Sequence, residues 1–520
     1  MCDLSELQTS LNSNSPEILA QCPTIIAKML INMKSDVITN IVLPAIKMLL
    51  SSSFDTVSDA MLQTLPYICK TIQKLMPINS IDYIFQNILP IFNAMTDDDN
   101  EDTISLAADA ITAIIEQMKN NEFDFKFAKF LQTLAVNNKK TVRAVAALTL
   151  EYCAEVIDIN PTFEIYSQIV VDFATDSSSA IRSRVPSIVT AHIDLITNPL
   201  NVSLFSSQML LLSHDKSLNV RKSVIECLFD FSQKVSCNER VLIVQPVLCT
   251  LLDDQNSQIR LLLLARFAPI INTIGKSVSQ DLIQKYCYFL LSDHENQAFS
   301  VAFSFSAVAL GIGADRFHQE LFPSFTRALQ SFDNRVRRTL SFSLTTFSHL
   351  FNPSELCETV CTLLKDMPFV SIGVVSNLSD ILPHVDDKES LLFCLLNPSA
   401  KYSEWRMRLK VSEQLRKCQN FFDREELLDS AMELVEDEVA VVRKDAVISF
   451  ASLMEKKDMP KLKELATNEN HWIRLCAAQI IGQKNWDDKQ TKEILKILRK
   501  DSVYAVQKEA NSVHNRMGFF

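Results

Sequence analysis

Two tryptophans stand close to arginines in a pattern suited to recognising another protein. The stretch SEWRMRLKVSEQL (403–415) places Trp405 beside Arg406, and NHWIR (470–474) places Trp472 two residues before Arg474. Indole and guanidinium groups are enriched among the residues that dominate binding energy at protein interfaces. We interpret these pairs as candidate binding residues. The alternative for Trp405 is that its ring packs on a neighbouring part of the fold and only its edge is exposed.

Residue types used in catalysis are present, but not in catalytic patterns. The sequence contains no GxxxxGK[ST], GxGxxG, HExxH or GxSxG motif, and GIGADR (311–316) holds only a GxG fragment. The eight histidines are dispersed, and none shares a helical face with another His or a Cys at metal-ligand spacing. None of the thirteen cysteines forms a CxxC pair. We therefore expect a protein that is not an enzyme, with no catalytic residue, no metal site and no cofactor.

The composition indicates that helices position these residues. Only 6 of the 520 residues are glycine, far below average usage, which disfavours the tight turns of all-β folds and phosphate-binding loops. The net charge is −11, so a nucleic-acid partner is not expected. No uncharged stretch is long enough to span a membrane, and the odd number of scattered cysteines indicates a reducing compartment. The predicted location is the cytoplasm, with the nucleus as a second possibility.

A pattern of about 39 residues recurs along the chain. A polar turn is followed by a β-branched residue, an arginine and an apolar stripe, most clearly at 137–150, 176–189, 215–229 and 254–267. The arginine slot falls at Arg143, Arg182, Arg221, Arg260, Phe299, Arg337, Ser371, Arg408, Arg443, Arg474 and Gln507. Each unit is long enough for two helices, and neither could bury its stripe alone, so the units must stack. The sequence predicts about fourteen such units.

The turn aspartate and the slot arginine are predicted to form a structural ladder. Asp215 precedes its helix and is placed to cap free N–H groups, whereas Arg221 lies in the first turn, where a cation opposes the helix dipole. The unfavourable interaction of this cation with the helix dipole suggests that an anionic side chain compensates it. We therefore expect each slot arginine to form an ion pair with the turn carboxylate of a neighbouring unit. The predicted ladder comprises Asp215 with Arg143, Arg221, Arg260, Arg337, Arg408, Arg443 and Arg474.

The period and motif resemble HEAT repeats across nearly the whole chain. More specifically, VSIGVVSNL (370–378), WRMRLKVSEQL (405–415), VAVVRKDAV (439–447) and NHWIRLCAA (470–478) resemble consecutive repeats of the scaffold (A, structural) subunit family of protein phosphatase 2A. The resemblance implies an all-α solenoid, a superhelix formed as one array over 1–520. Within it we expect degenerate repeats at 1–85, a regulatory-subunit-binding part at 86–345 and a catalytic-subunit-binding part at 346–520.

The resemblance also implies which residues bind partners. A scaffold of this family joins a phosphatase catalytic subunit to a variable regulatory B-type subunit. For the catalytic subunit the implied residues are Trp405, Arg406, His471, Trp472 and Tyr504. For the regulatory subunit they are Ser179, Arg182, Arg184, Ser257 and Gln258, of which Arg182 fits the ladder better. Glu404 and Gln507 depart from the family pattern, which has a basic residue and an arginine there.

Two other functions fit the same pattern. The first is an importin-type transport receptor, also acidic and built from HEAT repeats, which would bind a GTP-loaded small GTPase. The second is a HEAT-repeat regulator of a related phosphatase. The regular period and the WRMR turn favour the phosphatase scaffold, and binding of a small GTPase would separate it from the transport receptor.

Overall fold

The structure, a computed structural model, describes residues 4–31, 33, 37–76, 80–97, 100–118, 123–392, 396 and 404–518. Every regular element in these ranges is helical, and no strand occurs among them, so the predicted all-α fold is confirmed. The chain divides into two compact units, Met1–Leu282 and Ile283–Phe520. This division falls at neither of the predicted boundaries, after residues 85 and 345. The predicted functional subdivision stays a prediction.

The first unit consists of helices joined by short turns. Its α-helices of eight or more residues are Leu4–Leu11, Cys22–Leu30, Leu43–Leu50, Asp55–Leu75, Glu101–Glu116, Phe123–Ala135, Lys140–Tyr152, Phe163–Ala174, Val185–His192, Pro199–Ser213, Leu218–Lys234, Gln245–Leu252 and Ser257–Ile274. Shorter α-helical and 3-10 segments are Pro16–Leu19, Ser80–Tyr83, Leu89–Ala94, Cys153–Glu155, Asn160–Thr162, Ser179–Arg182, Ile193–Leu195, Cys237–Glu239 and Gly275–Ser277. The helix Gln280–Leu290 contains the boundary between the units.

The second unit repeats the same plan. Its longer α-helices are Glu295–Ile312, Phe322–Ala328, Asn334–Phe347, Pro353–Leu364, Pro368–Ser376, Trp405–Lys417, Arg424–Val435, Ala440–Leu453, Met459–Ala466, His471–Lys484, Lys489–Leu498 and Tyr504–Arg516. The shorter segments are Ala314–Arg316, Ser348–Leu350, Leu378–Ile381, Leu382–His384, Glu389–Leu392 and Lys456–Asp458.

Proline residues set a local distortion that recurs in both units. One π-helical turn directly precedes each of Leu43-Pro44, Leu89-Pro90, Gln245-Pro246 and Phe322-Pro323. These turns are Ile38–Val42, Ile84–Ile88, Arg240–Val244 and Phe317–Leu321. Proline has no N–H, and its ring clashes with the carbonyl four residues earlier, and widening the helix by one residue at these four sites relieves that clash.

The predicted apolar stripe of each unit forms its core. In the helix Leu218–Lys234, Val220, Val224, Leu228 and Phe231 are all fully buried. Their spacing of three or four residues puts them on one face of the helix, where they remove apolar surface from water. The same spacing therefore fixes which face of each helix points to the core and which remains for other contacts.

Arginines link successive turns within each unit. Arg182 donates from Nε and Nη2 to the Asp215 carboxylate at 2.6 and 2.9 Å, and from Nη1 to the carbonyl of Asp176 at 2.8 Å. Two-point ion pairs of the same kind join Arg143–Asp176, Arg221–Asp254, Arg337–Asp366, Arg408–Asp437 and Arg474–Asp501. Arg260 donates to the carbonyl of Asp254 in its own turn. Each of these pairs fixes the register of one turn against the next.

The turn aspartate does not cap the helix as the sequence suggested. The Asp215 carboxylate accepts a hydrogen bond from the N–H of Ser217 at 2.7 Å, and Ser217 itself is the residue that precedes the helix. The carboxylate therefore closes the turn. Burial opposes its ionisation, but the hydrogen bonds from Arg182 and from the Ser217 N–H outweigh burial and lower the pKa of Asp215.

A buried histidine lies in the core of the first unit. His192 is fully buried, its Nε2 lies 2.8 Å from the carbonyl oxygen of Leu150, and its Nδ1 has no hydrogen-bond partner. Burial lowers the pKa of His192 by more than the contact with Leu150 raises it. The ring is therefore neutral in the folded protein, with the proton on Nε2.

This histidine is expected to make stability fall in mild acid. The unfolded chain binds a proton at His192 below about pH 6.5, whereas the folded chain resists protonation until a lower pH. The contribution of His192 to the free energy of unfolding is therefore complete above about pH 6.5. Below that pH it falls by at most about 1.4 kcal/mol per pH unit. Urea unfolding between pH 7.5 and 5.5 should show a shallower decline in His192→Gln than in the parent. The matched exposed-histidine variant His294→Gln should follow the parent, and equal slopes in all three proteins would contradict this prediction.

Candidate protein-binding surfaces

The residues that the resemblance assigns to a catalytic subunit lie at the amino-terminal ends of helices in the second unit. We call them the aromatic ridge: Trp405, Arg406, His471, Trp472 and Tyr504. The sequence predicts that both tryptophans lie in turns between helices. Instead, Trp405 is the first residue of its helix and Trp472 the second, because the extended residues Glu404 and Asn470 end the turns and start the helices.

Contacts between neighbouring turns establish the order of the ridge. The turn before Trp405 is tied to the next one by the ion pair between Arg408 and Asp437. That second turn is tied to the third by Arg443, whose guanidinium carbon lies 5.5 Å from the centre of the Trp472 ring. The third is tied to the fourth, just before Tyr504, by the ion pair between Arg474 and Asp501. Trp405, Trp472 and Tyr504 thus lie at the starts of the helices that follow three of four consecutive turns.

Trp405 and Arg406 form a stacked pair at one end of the ridge. The guanidinium carbon of Arg406 lies 4.6 Å from the centre of the Trp405 ring, which is half-buried. The Arg406 side chain is 62% exposed and makes one long contact, 3.5 Å from its Nη1 to Glu404. Stacking holds the guanidinium flat while its N–H edges face solvent, where they can donate to a carboxylate or carbonyl group. Trp405 is half-buried, so part of its ring packs within the fold, and its recognition of a partner stays a prediction.

Trp472 and Tyr504 are more exposed than Trp405. Trp472 is 47% exposed and Tyr504 is 74% exposed. The Trp472 ring lies against the His471 ring at 4.7 Å between centres, and Asn470 accepts a hydrogen bond from the Trp472 N–H at 3.0 Å. Arg443 occupies a ladder slot, but the next turn carries Asn468 and Asn470 rather than aspartate, so Arg443 stacks on Trp472. Large, half-exposed rings fixed in this way are suited to binding another protein.

The residues assigned to a regulatory subunit fall into two environments in the first unit. Arg182 is only 6% exposed and paired with Asp215, so it belongs to the ladder and is not accessible to a partner. Ser257 and Gln258 are exposed at the start of their helix, and Ser179 is half-buried. Arg184 is half-exposed, 3.9 Å from Glu151, and lines a polar groove of about 690 Å³.

The potential metal ligands and the buried cysteines of the described residues are dispersed. No group of three or more His, Cys, Asp or Glu side chains could hold a metal ion among them. Burial raises the pKa of the Cys153 and Cys418 thiols to about 12, so neither is a thiolate nucleophile at neutral pH. No helix in the described ranges is both long and apolar enough to cross a membrane.

Sequence reasoning missed one surface in the second unit. Phe299, Phe303, Phe342 and Phe369 are all exposed around Arg338, and together they line a groove. One feature of the sequence indicates this surface: Phe299 occupies the slot that holds arginine in the neighbouring repeats. The pattern alone treats a phenylalanine there as another core residue, so the exposure of this group was not anticipated.

The comparisons with known proteins concern the fold. No protein-family model matches the sequence, and no curated protein matches it. Among solved structures, Kap121p bound to Nup53p is similar with a TM-score of 0.60 and 13% identity, and Kap121p bound to RanGTP with 0.58 and 14%. Both comparisons cover 99% of this chain but 56% of Kap121p, so the chain spans little more than half of that protein. Kap95p in complex with RanGDP gives a TM-score of 0.50 at 10% identity, covering 98% of this chain and 74% of Kap95p.

These similarities confirm the fold that the repeat pattern predicts. The chain is an all-α solenoid of HEAT repeats, as are the karyopherins to which it is similar. At identities of 10–14% the likeness concerns architecture alone. It establishes neither a phosphatase scaffold nor a transport receptor.

Proposed function

We propose that this chain is a non-catalytic, importin-type transport receptor that works by binding other proteins. The observation that carries the proposal is the similarity to Kap121p over 99% of the chain with a TM-score of 0.60. The Kap121p molecules in those structures are bound to Nup53p and to RanGTP, so a small GTPase is the partner class to test first. The phosphatase scaffold, which the sequence favoured, becomes the second candidate. A transport receptor would work in both the cytoplasm and the nucleus.

The charge of the chain supports a protein partner with a basic surface. Residues 1–400 contain 29 Lys and Arg against 42 Asp and Glu, whereas residues 401–520 contain 22 against 20. An acidic surface attracts basic segments over several ångströms and accelerates their association. A basic cargo segment would therefore meet the acidic part of the chain.

A nucleotide-dependent binding measurement tests the transport proposal. The full-length chain, immobilised on a biosensor, should bind Ran loaded with a non-hydrolysable GTP analogue roughly tenfold or more tightly than Ran loaded with GDP. Lysozyme, a basic protein, serves as the control for non-specific attraction to an acidic surface. Equal binding of the two nucleotide forms, or no binding of either, would remove the transport receptor as the function.

The aromatic ridge supports a second candidate, the phosphatase 2A-type scaffold. Its exposed rings at Trp472 and Tyr504 and the stacked pair Trp405–Arg406 occupy the positions that the resemblance assigns to catalytic-subunit contacts. In a complex, the aromatic side chains of such a ridge would be buried against the partner, and the guanidinium N–H groups would donate hydrogen bonds to it. Arg184, Ser257 and Gln258 remain the candidate contacts for a regulatory subunit. Arg182 is not a candidate, because its side chain is buried.

Substitution of the stacked pair tests the scaffold candidate. Affinity purification of the tagged chain should recover a phosphatase 2A-type catalytic subunit, and Trp405→Ala with Arg406→Glu should reduce its recovery roughly tenfold or more, because both hot-spot contacts are lost. The matched control is Tyr288→Ala with Arg327→Glu, an exposed aromatic and an exposed arginine outside the ridge. Recovery of a different phosphatase would indicate the related regulator, and equal losses in both variants would contradict a role for the ridge.

A further inference from the structure

An apolar groove crosses three helices of the second unit, and none of the aromatic-ridge residues lines it. We call it the Phe–Arg groove: Phe299, Phe303, Arg335, Arg338, Phe342 and Phe369. These side chains come from the helices Glu295–Ile312, Asn334–Phe347 and Pro368–Ser376. The groove has a volume of about 540 Å³, which lies within the range of ligand-binding clefts.

The phenylalanines of the groove expose an unusual amount of apolar surface. Phe303 is 75% exposed, and Phe299, Phe342 and Phe369 are each exposed by more than a third. Single exposed apolar side chains are ordinary, but four aromatic rings around one depression form a contiguous patch. Such a patch keeps ordered water against apolar surface, and an occupant with an apolar side chain would release it.

Arg338 is arranged to bind a carboxylate. Its guanidinium carbon lies 4.1 Å from the centre of the Phe369 ring and 5.1 Å from the centre of the Phe342 ring, so two aromatic rings lie within cation–π distance of it. At its edge, Nη1 makes one long hydrogen bond of 3.4 Å to the Phe369 carbonyl. No ion pair joins Arg338 to an acidic side chain of the described residues. The planar donors that remain match the two oxygens of a carboxylate.

The charge of the groove contrasts with that of the chain. Two arginines line it, and no acidic residue does, although the whole chain has a net charge of −11. Arg335 stands over the Phe299 ring at 5.7 Å and is paired with Asp333 at 2.8 Å, with its side chain 43% exposed. The groove is therefore a cationic and apolar site on an acidic protein, and charge complementarity selects an acidic occupant.

The floor of the groove is held in place by close packing. Gly373 lets the helix Pro368–Ser376 approach the helix Asn334–Phe347 so closely that a Cβ atom would lie 2.8 Å from the Phe342 backbone nitrogen. Ser341 donates across the same contact to the carbonyl of Val370 at 2.8 Å. Because the two helices are fixed, Phe342, Phe369 and Arg338 keep their arrangement without an occupant, and binding costs little reorganisation.

We infer that the Phe–Arg groove docks a protein segment that carries a large apolar side chain next to carboxylates. The apolar side chain would pack against Phe303 and Phe342, and a carboxylate one or two residues away would bind the edge of Arg338. A second carboxylate would share Arg335 with Asp333. This site shares no residue with the aromatic ridge and does not depend on which of the two proposed functions is correct.

Binding of designed peptides tests the inference. The probe is a fluorescein-labelled twelve-residue peptide with one central phenylalanine flanked by glutamates, titrated with the full-length chain. One control peptide has the phenylalanine replaced by serine, and another has the glutamates replaced by lysine. We expect saturable binding of the first peptide alone, weakened roughly tenfold or more by Phe303→Ala and by Arg338→Gln. Phe332→Ala, an exposed phenylalanine outside the groove, should leave the binding constant unchanged.

Three outcomes would overturn the inference. The first is no saturable binding of the acidic phenylalanine peptide. The second is binding that neither Phe303→Ala nor Arg338→Gln weakens, which would place the peptide elsewhere. The third is dimerisation of the unliganded chain that Phe303→Ala abolishes in sedimentation, because the occupant would then be a second copy of this chain. Circular dichroism of each variant separates loss of binding from loss of folding.

Discussion

Replacing Asp437 with alanine is expected to lower the free energy of unfolding by about 3–5 kcal/mol. Arg408 donates from Nε and Nη2 to the Asp437 carboxylate at 2.5 and 3.1 Å, and the two side chains are 6% and 1% exposed. Without the carboxylate a buried guanidinium keeps its charge but loses two hydrogen bonds, and the N–H of Val439 loses the acceptor 2.8 Å away. The cost is that of leaving a charge in a poorly solvated place.

The neighbouring glutamate provides a matched control for this prediction. Glu438 lies 3.6 Å from the same Arg408 side chain but is 84% exposed, so Glu438→Ala should cost only about 0–1 kcal/mol. The double variant Arg408→Met, Asp437→Leu should recover much of the loss, because apolar side chains of similar size leave no buried charge. Urea unfolding followed by circular dichroism gives the comparison. Equal losses for Asp437→Ala and Glu438→Ala would show that burial of the pair does not govern its contribution.

Replacing Phe347 with alanine is expected to cost about 3–5 kcal/mol as well. Phe347 is fully buried in an aromatic cluster of the second unit, with ring centres 5.5 Å from Phe305, 5.7 Å from Phe325 and 5.6 Å from Phe351. Truncation removes the transfer energy of the ring and leaves a cavity that rigid aromatic neighbours cannot fill.

An exposed phenylalanine from the same unit serves as the control. Phe332 is fully exposed, so Phe332→Ala should change stability by no more than about 0.5 kcal/mol. Hydrogen exchange localises the effect, since amides of the helices Glu295–Ile312 and Asn334–Phe347 should lose protection in Phe347→Ala and retain it in Phe332→Ala. Similar protection in the two variants would contradict the role assigned to the aromatic cluster.

The pattern of residues within single repeats was enough to predict the class of fold and the arginine–aspartate contacts between successive turns. Scarcity of glycine, helical spacing of apolar residues and a recurring turn are local properties, and each predicts stacked helix pairs. The position of the ladder is equally local, because an arginine six residues after a turn aspartate recurs with the period of the fold, as at Asp215 and Arg221. Regular stacking brings equivalent turns together, so Arg182 meets Asp215.

Neither partner identity nor the exposure of single residues followed from that pattern. The sequence favoured a phosphatase scaffold, whereas the similar solved structures are karyopherins, and the resemblance of a few turns did not separate families that share one architecture. The pairing of Arg443 with Trp472 depends on a residue of the following repeat, which the pattern within one repeat does not show.

The sequence by itself determined that this chain is an all-helical repeat protein, that its apolar stripes form the core and that its charged turns can join in series. Only the tertiary structure decided which phenylalanines of the described residues are buried, as Phe347 is, and which are exposed, as Phe303 is. It also decided that Arg182 is buried in an ion pair while Arg338 lies beside two aromatic rings in a groove. The physical reason is that hydrophobicity and spacing are carried by each residue, whereas burial depends on how closely helices approach, which is set by side chains some 30–40 residues apart, as at Gly373 and Phe342.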